Sequence, residues 1–214
     1  MEVVRKFPLS IWDDPESSNR DLIAQKLGPE HADFMVITAS LGCDCCITRL
    51  SLFDNELGDM GASKLATALM RNTTLKCLVL CGNGIGDTGA KSLADLLLVN
   101  TTLDELRLSF NKITCEGLHD LTEALKGNTT LTRLHLSRMH LRDEKRVALG
   151  LSSIGEALAQ NTTLTALHLC GTGMNDVEVK LWHGNTTLKE LGLRMNTFSS
   201  EGVCIYPFQP AGTH

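Results

Sequence analysis

Residues 75–102 read LKCLVLCGNGIGDTGAKSLADLLLVNTT, and a similar stretch begins directly after them. In residues 75–102, the aliphatic residues and one asparagine have the spacing L-x-x-L-x-L-x-x-N-x-L, which is filled by Leu75, Leu78, Leu80, Asn83 and Ile85. The same spacing recurs one period earlier and one period later, at Ile47, Leu50, Leu52, Asn55 and Leu57, and at Leu103, Leu106, Leu108, Asn111 and Ile113. The triplet Asn-Thr-Thr closes each unit at positions 72, 100, 128, 161 and 185, so successive units are 28, 28, 33 and 24 residues apart.

Each unit is predicted to contain a short strand, a turn and a helix. Leu78 and Leu80 alternate with residues that point the other way, as in a strand with one buried face. Asp87 is predicted to cap the following helix, and Leu93 and Leu97 share one face of that helix. Because one unit cannot bury both apolar faces by itself, we expect the units to stack into a solenoid.

The unit spacing predicts an N-terminal cap, six repeats and a tail. The cap covers residues 1–46, with helices over 19–27 and 30–41 that end at Gly28 and Gly42. The predicted repeats are 47–74, 75–102, 103–130, 131–163, 164–187 and 188–206, followed by the tail 207–214. Repeat 4 has five extra residues within 138–151, which predict a longer loop or helix start on one rim, or a plain change of length. Repeat 5 is four residues shorter, which predicts a shortened helix or a loop over 176–183.

Composition limits the classes of function. The chain has 214 residues, 43% of them hydrophobic, and a net charge of −5, which suits one globular domain. No basic run is present, so we predict no nucleic-acid partner. No segment approaches the roughly 18 apolar residues of a membrane span, and the N-terminus lacks the apolar segment of a signal peptide. We therefore predict a cytoplasmic protein without a membrane contact.

Two motifs that resemble chemical sites are interpreted as structural. The eight cysteines are predicted to be free thiols, since no export signal accompanies them. Cys43, Cys45 and Cys46 have half the spacing of a zinc site, but Cys45 and Cys46 also stand where a degenerate Asn-Thr-Thr turn is expected. The five Asn-Thr-Thr triplets match the N-glycosylation motif, yet their identical repeat positions favour turns whose side chains bond local backbone. We predict no cofactor.

The strand residues that point away from the leucines form the predicted binding surface. They are Arg49, Ser51 and Phe53; Cys77, Val79 and Cys81; Glu105, Arg107 and Ser109; Arg133, His135 and Ser137; Ala166, His168 and Cys170; and Glu190, Gly192 and Arg194. The N-terminal half is predicted to be apolar and rich in thiols, and the C-terminal half carries arginines and histidines beside two glutamates. Such a mixed surface favours a protein partner, since arginine and aromatic residues often dominate interfaces.

Ten of these residues are the predicted partner contacts: Arg49, Phe53, Val79, Glu105, Arg107, Arg133, His135, His168, Glu190 and Arg194. The pair His135 and His168, with Cys170 nearby, offers metal ligands, but no third histidine or carboxylate completes a site. The alternation of His135 and Ser137 on an open face, without a buried acid, does not suit nucleophilic catalysis. We therefore predict a protein that is not an enzyme.

The 28-residue unit ending in L-x-x-N-T-T-L resembles the ribonuclease-inhibitor-like class of leucine-rich repeats. It is similar to the C-terminal repeats of NLR receptors and to Ran GTPase-activating proteins. The resemblance implies an α/β horseshoe with a parallel concave sheet and outer helices, and a function in protein binding. With the six repeats and the longer repeat 4 read from the sequence, we predict a scaffold that binds a protein partner through the concave face and the rim near residues 138–146. Two alternatives stay open: a small-GTPase regulator that uses the loops around Asn83, Asn111 and Arg138, and an assembly subunit that self-associates through its C-terminal edge.

Overall fold

The computed structural model describes residues 21–24, 27–42, 47–139, 144–176 and 185–198. In the described residues, seven short strands form one parallel sheet in sequence order: β1 Asp21–Ile23, β2 Arg49–Ser51, β3 Cys77–Val79, β4 Glu105–Arg107, β5 Arg133–His135, β6 Ala166–His168 and β7 Glu190–Gly192. Five helices within these ranges alternate with them: α1 Ala32–Leu41, α2 Gly58–Leu69, α3 Asp87–Val99, α4 Cys115–Gly127 and α5 Glu144–Gln160. This is the predicted α/β horseshoe solenoid.

The core lies between the sheet and the helices, where the repeated leucines meet. The central leucine of each strand from β2 to β6 is almost completely buried, as Leu50, Leu78, Leu106, Leu134 and Leu167 are all at most 1% exposed. These leucines pair with one another along the sheet, in the register that the unit spacing predicts. Helix residues such as Leu93 and Leu121 belong to the same apolar cluster. The predicted burial of both faces is therefore confirmed.

The first strand corrects the prediction of a helix over residues 19–27. Asp21–Ile23 are extended and pair in parallel with Arg49–Ser51, so that Leu22 stands beside Leu50, one 28-residue period away. The signal is weak because Leu27 and Pro29 occupy the positions where later units have asparagine and an aliphatic residue. The second predicted helix is confirmed as α1, which ends at Leu41 with Gly42 as its C-cap. The repeat and cap boundaries remain predictions.

Two rows of asparagines form hydrogen bonds with the backbone of neighbouring units, as predicted for the repeat turns. In the Asn-Thr-Thr turns, the Asn100 amide nitrogen donates to the carbonyls of Leu69, at the end of α2, and Asn72, in the preceding turn, at 2.8 and 3.1 Å. Its amide oxygen accepts from the backbone N–H groups of Thr102 and Leu103. In the second row, Asn83 donates to the Leu52 carbonyl at 2.7 Å. Buried asparagines therefore satisfy backbone groups that the sheet and helices leave unpaired.

Helix capping also crosses from one unit to the next, which corrects the predicted role of Asp87. Asp87 is the first residue of α3, and its Oδ1 atom accepts from the backbone N–H groups of Thr114 and Gly117, at 2.7 and 3.0 Å. Asp59 does the same for Gly86 and Gly89 at the start of α3. Each carboxylate therefore interacts favourably with the N-terminus of the next helix, and the close packing leaves no room for a side chain at Gly117.

The two units of unusual length lie near the C-terminal end of the described solenoid. Helix α5 has 17 residues, against 13 in α4, so a longer helix accounts for most of the excess in repeat 4. The predicted helix or loop over 176–183 lies outside the described residues, except for Asp176. The cysteines at 43, 45 and 46 and the tail also lie outside them. Within the described ranges, no helix is long and apolar enough to cross a membrane.

Candidate functional site: the strand face and its rim

The parallel register brings the predicted binding residues into columns along the concave side of the sheet. One column contains Arg49, Cys77, Glu105, Arg133, Ala166 and Glu190, and the next contains Ser51, Val79, Arg107, His135, His168 and Gly192. We call these residues, with Phe53, Cys81, Ser109, Ser137, Cys170 and Arg194 after the strands, the strand face. Neighbouring strands lie about 4.8 Å apart, so consecutive residues of one column are neighbours.

The N-terminal half of the strand face is more buried than predicted. Cys77, Val79 and Cys81 are only 7–9% exposed and form a small apolar cluster of their own. Longer side chains flank them in register, with Arg49 beside Cys77 and Arg107 beside Val79. Val79 is therefore not an accessible partner contact, and the predicted apolar, thiol-rich patch is wrong. Among these residues Phe53 is the exposed one, at 53%.

Glu105 is a buried carboxylate at the centre of the strand face. Its side chain is 5% exposed and accepts a hydrogen bond from Arg107 Nε, while Arg133 Nε lies 3.4 Å from its second oxygen. Burial alone would raise the pKa of Glu105, but the arginines and a hydrogen bond with Cys77 bring the pKa below its usual value. Glu105 is thus not a direct contact as predicted; it holds two arginines in place.

The arginines around Glu105 keep part of their guanidinium groups in solvent. The Arg107 and Arg133 side chains are 37% and 46% exposed. A second carboxylate, Asp104, accepts from Arg133 Nη2 at 2.7 Å. Burial, followed by the nearby Glu105 charge, raises the pKa of Cys77 to about 11, so this thiol stays protonated beside the carboxylate. The surface therefore presents cationic groups that the buried, ionised carboxylate of Glu105 holds in place.

Two histidine rings continue the strand face towards the C-terminus. His135 and His168 stack with 4.3 Å between ring centroids and 6° between planes, and His168 Nε2 lies 3.2 Å from Glu190 Oε1. Gly192 makes room for the second ring, because a Cβ atom there would lie 2.5 Å from His168 Nδ1. The rings face each other instead of directing their nitrogens at a common point. Among the described residues, no group of three or more metal-binding side chains is found.

His135 occupies an environment that opposes its protonation. Burial, the neighbouring His168, and the arginines lower the pKa of His135 to about 4, although Glu105 acts in the opposite direction. His135 Nε2 lies 3.4 Å from Glu105 Oε1 without the geometry of a hydrogen bond. The prediction that no buried acid stands beside this histidine is therefore wrong. At neutral pH the stacked ring of His135 is uncharged.

A row of left-handed residues follows the strands and was not predicted. The residue at one turn position has a positive φ in all six predicted repeats: Asp54, Gly82, Phe110, Arg138, Gly171 and Met195, with φ between 53° and 73°. Glycine adopts this conformation readily, but large side chains rarely do. Phe110, Arg138 and Met195, which we call the rim patch, are all exposed. The sequence signal is the alignment of these bulky residues with Gly82 and Gly171.

Other predicted candidates are placed less favourably for binding. Asn83 and Asn111, at the centres of the loops proposed for a GTPase regulator, are each 2% exposed and bond backbone groups of adjacent units. Glu190 and Arg194 are exposed at the C-terminal end of the strand face, as predicted. Of the predicted rim near 138–146, Arg138 and Met139 are described in full, and the side chains of residues 140–146 lie outside the description.

Comparisons with known proteins agree with this geometry. The family model described as "Leucine Rich repeat" matches residues 43–66, 71–94, 99–121 and 184–203, and each match contains one strand of the sheet. The chain has a leucine-rich repeat fold. No curated protein sequence matches it. The finer resemblance to the ribonuclease-inhibitor-like class, NLR receptors and Ran GTPase-activating proteins remains a prediction.

Two solved leucine-rich repeat structures resemble the chain over most of its length. One is actin-binding site 2 of leiomodin-1, with a TM-score of 0.56, 24% identity, and coverage of 79% of this chain and 82% of the other. The second is the C-terminal domain of tropomodulin from Caenorhabditis elegans, with a TM-score of 0.54, 15% identity, and coverage of 80% and 87%. At these identities the likeness concerns the leucine-rich repeat fold alone.

Proposed function

We propose that the chain is a protein-interaction module that binds a protein partner through the C-terminal half of its strand face and the adjacent rim. The observation that carries this proposal is the pair of half-exposed arginines, Arg107 and Arg133, fixed by the buried carboxylate of Glu105. Leucine-rich repeat domains in general serve as protein-binding modules. The name of one structural neighbour, actin-binding site 2 of leiomodin-1, makes actin a defined partner to test.

Preorganisation explains why this surface suits recognition. A free arginine loses side-chain entropy when a partner immobilises it. Arg107 and Arg133 are already held by Glu105, and Arg133 also by Asp104, so less entropy remains to be lost. Arginine is among the residues that contribute most to interfaces, through bidentate contacts with carboxylates. The fixed arginines thus favour a partner that presents an acidic surface to the strand face.

The network also decides which variants test the proposal. Charge reversal at Arg107 would place a second carboxylate beside buried Glu105 and would disturb the fold itself. Arg133→Gln keeps a hydrogen-bonding side chain, and Arg194→Glu changes an exposed residue at the C-terminal end of the strand face. Arg71→Glu is the matched control, because Arg71 is exposed in the turn between α2 and β3 and does not belong to the strand face.

The experiment identifies partners by affinity capture from the native cell and then measures binding of the purified partner, with actin measured in parallel. We expect Arg133→Gln and Arg194→Glu to weaken the binding of the captured partner about tenfold each, and Arg71→Glu to leave it unchanged. Circular dichroism checks that all three variants are folded. Equal binding by the three variants would show that the strand face is not the recognition surface.

The two alternatives are not favoured by a specific observation. The loop asparagines proposed for a GTPase regulator are used in backbone hydrogen bonds. Self-association through the C-terminal edge depends on residues after 198, which lie outside the described ranges. Both remain predictions, to be tested by a GTP hydrolysis assay with a panel of small GTPases and by light scattering.

A further inference from the structure

The rim patch combines an unfavourable backbone conformation with little burial. Phe110 and Met195 have φ values of 60° and 61° but are 56% and 68% exposed, so the fold gains little from their side chains. Gly82 and Gly171 show that glycine serves the same turn in other repeats. A strained conformation that the rest of the fold does not require is a reason to look for a function. The packing of the solenoid therefore does not explain why these large side chains occupy the rim.

Direct contacts join the three side chains of the rim patch into one surface. The Arg138 guanidinium carbon lies 5.5 Å from the centre of the Phe110 ring, and Arg138 Nη2 donates to Met195 Sδ at 2.9 Å. Gly171 lies beneath this side chain, since a Cβ atom there would come within 3.3 Å of Arg138 Cγ. Met195 uses one of the five N–H donors of the guanidinium. The patch thus places a positioned cation between two exposed apolar groups.

The charge around the rim patch identifies the chemistry of its occupant. The turn segments 109–112, 137–139, 170–175 and 194–198 contain the cations Lys112, Arg138 and Arg194 and no aspartate or glutamate, although the whole chain has a net charge of −5. A complementary ligand is therefore anionic. The apolar groups on both sides of Arg138 favour a ligand that also carries a large apolar side chain.

We propose that the rim patch docks a short segment of a protein partner in which a carboxylate side chain stands beside a large apolar one. Arg138 would bind the carboxylate, and Phe110 and Met195 would contact the apolar side chain. This inference rests on the proposed function and specifies where, and by which chemistry, part of the partner binds. A nucleic acid, with phosphates on Arg138 and a base stacked on Phe110, is the competing occupant that the experiment distinguishes.

The test uses a random peptide library displayed on phage and selected on the full chain. The enriched peptides are expected to contain aspartate or glutamate adjacent to an aromatic residue, leucine or methionine. Phe110→Gly and Arg138→Gly are expected to weaken the binding of a synthesised enriched peptide at least about tenfold. Because glycine relieves the left-handed backbone, the melting temperature of both variants should be unchanged or higher. Loss of binding would then not come from unfolding.

Phe53→Ala is the matched control, since Phe53 is exposed to a similar degree, has no positive φ and lies outside the rim patch. It should retain peptide binding. The proposal is overturned if no peptide is enriched, if the enriched peptides lack acidic residues, or if Phe110→Gly and Arg138→Gly bind them normally. It is also overturned if a labelled single-stranded oligonucleotide binds the patch instead. A captured partner that loses affinity with Arg133→Gln but not with the rim variants would refute this inference alone and leave the proposed function intact.

Discussion

Replacing Asn100 by alanine is expected to destabilise the solenoid strongly, because this side chain joins two successive turns. Its amide makes four hydrogen bonds with backbone groups of residues 69, 72, 102 and 103, at distances between 2.8 and 3.1 Å. Alanine would leave two carbonyls and two N–H groups without these partners at a site that is 6% exposed. At roughly 1 kcal/mol or more for each buried unpaired group, the free energy of unfolding should fall by about 4 kcal/mol.

The edge of this row of asparagines provides an internal comparison. Asn185 makes the equivalent bonds to Leu158, Thr187 and Leu188, but it is only half-buried. Water can therefore replace part of the hydrogen bonds that the substitution removes, and Asn185→Ala should lower the free energy of unfolding by about 2 kcal/mol. Thr101→Ala, which changes an exposed neighbour of Asn100, should stay within about 0.5 kcal/mol of the wild type.

Urea denaturation followed by circular dichroism measures the three variants under the same conditions. The reasoning requires Asn100→Ala to lose the most stability, Asn185→Ala less, and Thr101→Ala almost none. If Asn100→Ala lost less than about 1 kcal/mol, or no more than Asn185→Ala, the turns would not depend on their asparagines in the way the hydrogen bonds indicate.

Two further predictions concern pH and helix packing. The folded-state pKa of His135 is about 4, below its usual value of 6.5, so between these pH values the unfolded chain binds a proton that the folded chain does not, and stability falls as the pH falls. The full difference corresponds to at most about 3.4 kcal/mol; because the side chain is 20% exposed, we expect about 1–2 kcal/mol. Urea titrations of the wild type and His135→Gln at pH 7 and pH 4.5 should show a smaller loss in the variant, and equal losses would refute the assignment. Gly117→Ala should destabilise by about 1–3 kcal/mol, because its Cβ atom would come within 2.6 Å of Asp87 Oδ1. Gly127→Ala, in the same helix and with open space around it, should be neutral or slightly stabilising, and similar melting temperatures for the two variants would contradict the close helix packing.

The sequence predicted the parts of the fold that repeat strictly and missed those that depend on neighbours. The leucine spacing specified the strands, their parallel order and their register, since the buried positions recur in every unit. The strand at Asp21–Ile23 was missed because Leu27 and Pro29 break the pattern, although Leu22 stands 28 residues before Leu50. Burial of Val79 was missed because alternation indicates only which side of a strand a residue faces.

The binding surface was predicted as a set of residues but not as an arrangement. The columns of the strand face follow from the register, so Arg133 was correctly placed beside Glu105, and His135 beside Arg107. The role of Glu105 as a buried anchor depends on side chains from two adjacent strands, which a pattern within one unit does not reveal. The rim patch was missed because its members differ in chemistry and share only a backbone conformation with Gly82 and Gly171.

Hydroxyl-radical footprinting of the chain, alone and with a partner identified by affinity capture, tests the proposed recognition surface most directly. Phe110 and Met195 report on the rim, and Met60 and Met70, which are 52% and 43% exposed at the two ends of helix α2, report on the helical side. The account predicts that the partner protects Phe110 and Met195 from oxidation and leaves Met60 and Met70 unchanged. Protection of Met60 and Met70, with Phe110 and Met195 still fully reactive, would contradict it.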